Sequence, residues 1–229
     1  MPASVAALRA LVEQRFPDAL PITHRSTAVA TGLAQLDRIL PSGGLPRGRL
    51  SVWASQGGAT AILRAACLTT VAAGERAAWI DGRGVVGGVV WDDGPILLRP
   101  KSLTHALRTA EELLRSGGFG LVVLSGLEPA RTETVRLTRA VREGGSALVT
   151  LARETSMASL RLTSRLLPNG YHWRLDPFGG PAEAQLAVLH VRAQAPGWNA
   201  QTNLSIPVAH HELRLSLDAE LADRRGVRR

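Results

Sequence analysis

Apolar residues along this chain recur first at helical spacing, then in short runs alternating with helical stripes, and finally at every second position. Over residues 4–16 the stripe is Val5, Leu8, Val12 and Phe16, with Ser4 as a fair N-cap and Pro17 and Pro21 closing the segment. Residues 1–25 therefore read as an N-terminal helical arm and connector, suited to docking on a partner or to packing in the core. Short apolar runs at 50–54, 77–81, 96–99, 121–124 and 147–151 predict strands, and residues 60–73, 102–116 and 132–143 predict helices. The clearest helix is 102–116, with the stripe Leu103, Leu107, Ala110 and Leu114, Glu111 placed to pair with Arg115, and Gly117-Gly118 to end it. Regular alternation with short connections implies an α/β fold, a mostly parallel sheet with helices on both faces.

After residue 152 the pattern changes. Helical patterning fades after about residue 167, and period-two alternation appears at 171–175, 186–192, 204–208 and 211–217. These segments predict an antiparallel extension of the sheet on its C-terminal side, built from hairpins. Residues 26–218 then form the core and 219–229 a basic tail. Trp53, Trp79 and Trp173 fall in strand-like runs and are expected in the core. Trp198 lies in the polar link 195–202, where an aromatic can stack on a base, anchor a partner or fold back onto the sheet.

One segment stands out between the first core strand and its helix. Residues 51–63 read as strand, small-residue turn and helix start, the arrangement of a phosphate-binding loop, with Ala54, Ser55, Gln56, Gly57, Gly58, Ala59 and Thr60 as the loop itself. Such a loop places a lysine immediately before its Ser or Thr, against the β- and γ-phosphates. Here that position is Ala59, and the sole lysine of the chain is Lys101.

Composition narrows the partners. Of 27 Lys and Arg residues one is lysine, leaving 26 arginines, and the net charge is +8. Guanidinium forks pair bidentately with phosphates and carboxylates, so nucleic acid or an acidic protein surface suits this chain. With 45% apolar residues it can build a full core, and no apolar run approaches the ~20 residues of a membrane span. No secretory leader is evident at Met1, and the single Cys67 cannot form an internal disulfide, which fits a reducing cytoplasm. No cluster of residues has metal-ligand spacing, since the adjacent His210 and His211 would face opposite sides of a strand.

The segment before the loop, residues 30–49, runs Ala-Thr-Gly-Leu-Ala-Gln-Leu-Asp-Arg-Ile-Leu-Pro-Ser-Gly-Gly-Leu-Pro-Arg-Gly-Arg. It resembles the lead-in to the Walker A strand of the RecA-type recombinase core, and the resemblance extends over roughly residues 25–210. Within that superfamily the phrases Gly43-Gly-Leu-Pro-Arg-Gly-Arg49, Leu97-Leu-Arg-Pro100 and Glu112-Leu-Leu-Arg-Ser-Gly-Gly-Phe-Gly-Leu-Val-Val-Leu124 are similar to ImuA, the small RecA-like protein of bacterial mutagenesis cassettes. The resemblance implies a RecA-like core and a role in DNA-damage-induced, error-prone translesion synthesis. It implies RecA, an ImuB-like protein and an error-prone DNA polymerase as partners, association with the nucleoid when active, and possible contact with single-stranded DNA.

Carried over position by position, the ATPase chemistry of that superfamily is missing. Ala59 stands for the lysine. Arg83 falls where a glutamate would activate the attacking water, and a guanidinium stays protonated at any working pH. Leu124 falls where an aspartate would organise magnesium. Each charge-assisted contact is worth about 1.5–3 kcal/mol, so losing two weakens nucleotide binding by roughly a hundred- to ten-thousand-fold. No cofactor is expected, with ATP binding weak or absent. The vestigial loop retains amides at Gly57 and Gly58 able to meet a lone phosphate.

Basic-patch candidates for DNA or a partner are the helical stripe Arg136, Arg139 and Arg142, Arg192 in the C-terminal strands, and the tail residues Arg224, Arg225, Arg228 and Arg229. In RecA relatives the region matching residues 192–194 reaches across a subunit interface to nucleotide, and Gln194 has lost its charge there. Cys67, amid small residues in mid-helix, reads as a structural thiol.

Overall fold

The computed structural model describes residues 27–84, 94–153, 155 and 157–208. A two-stranded antiparallel ribbon, β1 (Ala28–Val29) with β2 (Leu45–Pro46), brackets the short helix α1 (Ala34–Ile39). The main sheet follows: β3 (Arg49–Gln56), β4 (Arg76–Asp81), β5 (Ile96–Leu98), β6 (Phe119–Ser125), β7 (Ala147–Leu151), β8 (Leu160–Leu175), β9 (Pro181–Ala195) and β10 (Trp198–Pro207). Helices α2 (Ala59–Ala72), α3 (Leu103–Arg115) and α4 (Arg131–Gly144) cross between the parallel strands.

The strand order is β10-β9-β8-β3-β7-β6-β4-β5. Pairing is parallel from β8 through β5 and antiparallel between β8, β9 and β10. The strand bearing the loop thus lies mid-sheet, between β7 and β8.

Side-chain alternation divides the core in two. On β6, Leu121 and Val123 point to the face covered by α1 and α2, while Val122 and Leu124 point to the face covered by α3 and α4. Such continuous apolar runs are what strands buried on both faces require. Trp53 and Trp79 are both fully buried on the α2 face. A buried indole N–H needs an acceptor, and both find a serine: Trp53 Nε1 donates to Ser164 Oγ (3.0 Å) and Trp79 Nε1 to Ser125 Oγ (2.9 Å). Helix α3 starts on Ser102, whose Oγ accepts from the His105 N–H (3.2 Å).

Several expectations need correction. Residues 160–175 form one long strand rather than a strand confined to 171–175, because Leu160, Leu162 and Ser164 are inward while Arg161, Thr163 and Arg165 are outward. The polar link expected at 195–202 is a tight turn at Pro196-Gly197, after which Trp198 already begins β10 and packs partly buried against the main core. Trp173 is half exposed, not core, because the β8–β9 hairpin runs past the helices. Leu103 sits at the first position of α3 and is 45% exposed; the buried stripe begins one turn later at Ala106 and Leu107. The segment 211–217, the arm residues Val5, Leu8, Val12 and Phe16, and the tail arginines Arg224, Arg225, Arg228 and Arg229 lie outside the described residues.

Candidate functional site

The loop is built where strand, turn and helix were expected. Strand β3 ends at Gln56, the chain turns through Gly57 and Gly58 at φ of 119° and 77°, and α2 begins at Ala59. Only glycine adopts these angles without strain. Three contacts press the turn onto the neighbouring strands. Ser164 Oγ donates to the Gly57 carbonyl (2.8 Å) while accepting from Trp53, which ties the turn to β8. Gly57 lies against Leu166, and a Cβ on Gly58 would fall 2.1 Å from Leu189 Cδ1, so β9 fills the space beside the turn.

Ala59 is 1% exposed and belongs to the main core, next to Ile62 and Leu63. The position assigned to a phosphate-binding lysine is thus a small apolar contact, whereas Thr60 is exposed on the first turn. Ala54 and Gln56 point to the other side of the sheet, into the groove described below.

The ends of β4 and β6 lie side by side, with Asp81 beside Ser125. Arg83 follows β4 in a turn and packs its Cβ and Cγ over Gly126, just beyond β6. Leu124 is fully buried in the α3–α4 cluster, facing away from α2. The residue at the end of β6 on the α2 face is Ser125, paired in register with the buried Asp81 of β4. Sequence reasoning passed over Asp81, Ser125 and Ser164; the usable signal was a tryptophan near the end of β3 and another near the end of β4, each demanding an acceptor for its indole N–H. Cys67 is buried in α2, and desolvation pushes its thiol up to about 12. At that value it stays a protonated thiol at neutral pH.

The helical arginine stripe is largely neutralised. Arg136 pairs with Glu111, Arg139 Nε contacts Glu143 Oε1 at 2.8 Å, and Arg115 bridges Glu111 (2.8 Å) and Glu143 (3.2 Å). The Glu111–Arg115 pair is the one the helix pattern anticipated. The hydrogen bond from Arg139, and next that from Arg115, hold the Glu143 carboxyl below its ordinary range. These pairs leave Arg142 as the stripe member without an ion pair among the described residues.

Arg192 is placed differently. It stands on β9 with Nε donating to Asn199 Oδ1 (3.1 Å), and it lines an open groove of about 790 Å³ with Arg153, Arg165, His190 and Gln201. Gln56, the last residue of β3, borders the same groove. Among the described residues no group of three or more His, Cys, Asp or Glu is placed to hold a metal, and no described helix is long and apolar enough to cross a membrane.

A central parallel sheet with a strand–turn–helix loop in its middle, helices on both faces and an antiparallel extension beside β8 is a RecA-type core. The solved RadB recombinase shares it: the two superpose with a TM-score of 0.56 at 14% identity, covering 79% of this chain and 96% of that one. In sequence, the chain is 33% identical over 156 residues to the protein RecA of Frankia casuarinae, a match that takes in 62% of this chain and 43% of the relative. The chain therefore spans less than half the length of that curated relative. No family model matches it.

Proposed function

We propose that this chain is a catalytically silent, RecA-like accessory protein of recombination and repair, acting by binding partners rather than by turning over nucleotide. The observation that carries this reading is the loop: its lysine position is the buried Ala59, and its turn is packed against Ser164, Leu166 and Leu189. Arg83 and Leu124 add to it, since neither side chain is able to activate water or hold a metal. The RecA-type fold and the similarity to RecA support a place in DNA repair. Within that field the ImuA-like phrases point to error-prone translesion synthesis, with RecA, an ImuB-like protein and an error-prone polymerase as partners. The adaptor would use surfaces by which RecA-shaped proteins recognise one another.

A titration of magnesium-ATP into the purified chain, with and without RecA on single-stranded DNA, tests this. The expected outcome is binding to RecA with no saturable nucleotide site on the chain itself. Micromolar ATP binding, or phosphate release abolished by Thr60→Ala, overturns the reading in favour of a working ATPase. Binding to DNA without RecA, falling steeply with salt as neutralised phosphates release counterions, replaces it with a direct DNA-binding module.

A further inference from the structure

Among the described residues, strands β8, β9 and β10 are covered on one face only. On the α2 side they carry Leu162, Leu189, Val191 and Leu204 into the core. On the other side α3 and α4 pack over β3 and β6, and the three outer strands lie open. Cross-strand register places the side chains of that open face in rows. Arg161 lies beside Gln194, Thr163 beside Arg192, and Arg165 beside His190, with Asn199, Gln201 and Asn203 completing the rows on β10. Arg153 enters from the loop after β7 and lines the same groove. No carboxylate occupies any row, and among the described residues Arg153, Arg161, Arg165 and Arg192 form no ion pair, unlike Arg108, Arg115, Arg136 and Arg139 on α3 and α4.

We propose that this open face docks an acidic segment of a protein partner, extended along the strands. Inference and adaptor are linked: it names the surface and the partner chemistry of the adaptor proposed above, and rests on that reading. Charge complementarity is the first argument, since a surface offering only cationic and neutral hydrogen-bonding groups selects an anion. The repeat is the second. Arg161, Arg192 and Arg165 step along the strand direction two residues at a time, ~6.8 Å per step. An extended peptide with a carboxylate at every second residue repeats at the same ~6.8 Å. Guanidinium forks donate two parallel hydrogen bonds to a carboxylate. Between the charges, the Asn and Gln amides offer hydrogen bonds to peptide groups, and His190 is held in the row by its Nδ1, 2.9 Å from Asn203 Oδ1.

A nucleic acid strand fits less well. Binding single strands relies on large aromatic platforms for the bases, and among the described residues this face carries no Phe, Tyr or Trp. Tyr171 and Trp173 lie together on the other side of the hairpin, with ring centroids 5.7 Å apart, and Trp198 packs on the main core.

The test is fluorescence anisotropy on the full chain, with a labelled peptide alternating Glu and Ser and, in parallel, an oligothymidylate of equal charge. The expected result is that the peptide binds more tightly than the oligonucleotide and that Arg165→Gln with Arg192→Gln weakens it by about tenfold or more. Arg108→Gln, on α3 and outside the groove, should change it by less than about twofold. A peptide that fails to bind, or that binds the double variant as tightly, overturns the inference. So does an oligonucleotide bound more tightly and lost with the same substitutions, which assigns the face to nucleic acid. Co-precipitation with RecA separates the two claims: no RecA binding by a chain that still holds the peptide sinks the RecA adaptor and leaves the face, while RecA binding with no peptide site does the reverse.

Discussion

Ala59 shows how one small side chain can close a core beside a glycine turn. It fills a site in the main core at the first turn of α2, between a glycine turn and Ile62. Ala59→Lys should therefore not restore nucleotide binding. It would carry an ammonium group into apolar packing, and burying an unpaired charge is strongly unfavourable. The expected outcome is a loss of roughly 3 kcal/mol in urea-induced unfolding, with magnesium-ATP still silent in calorimetry. A variant as stable as the parent and able to bind ATP would show that the loop retains the shape of a working site. Ser164 repeats the theme: one hydroxyl satisfies the Trp53 indole and fixes the Gly57 carbonyl.

Among the elements, α3 and α4 form a unit that neither makes alone. Glu111 is nearly buried between them and receives Arg115 from its own helix and Arg136 from the other, while Glu143 receives Arg115 and Arg139. The start of α3 depends on a single cap, the Ser102 hydroxyl on the His105 N–H. Ser102→Ala leaves that donor to solvent and should lower stability by about 1 kcal/mol, read as a shift of the denaturation midpoint with an unchanged slope. A neutral result would show that packing of Ala106, Ala110 and Leu114 sets this helix without help from the cap.

For the whole molecule, the one thiol reports on core integrity. Folding raises the Cys67 pKa from the 9.0 of an open chain to about 12, so the native state keeps a proton that the unfolded state releases. A raised folded pKa gives stability that is complete below the unfolded value and is lost as pH climbs toward the folded one. Stability should therefore fall between about pH 9 and 12, and Cys67→Ala should flatten that limb in unfolding curves across the same range. Equal slopes in parent and variant would mean the thiol is not desolvated. At neutral pH the same burial should leave Cys67 inert to thiol reagents until the chain unfolds.

Alternation of apolar runs and helical stripes was enough to establish the α/β class, the β3–loop–α2 unit and the antiparallel extension, because each rests on local periodicity and on how sheets cover their faces. The absence of a lysine at position 59, of a carboxylate at 83 and at 124, and the Glu111–Arg115 spacing were equally plain in the order of residues. Local pattern says nothing about which residues far apart become neighbours, and the remaining features turn on that. Ser164 stands 111 positions from Trp53, and Leu189 reaches the Gly58 turn from β9. Arg161 and Arg165 fall before the alternating segment expected at 171–175, and only the register of β8 on β9 aligns them with Arg192 into one unpaired face. Arg136 and Arg139 read as a free basic stripe, and only the packing of α3 on α4 neutralises them. Sequence determined the fold class and which residues stand at positions 59, 83 and 124; tertiary structure decided which charges cancel and which stay open, because electrostatic pairing follows distance in space rather than along the chain.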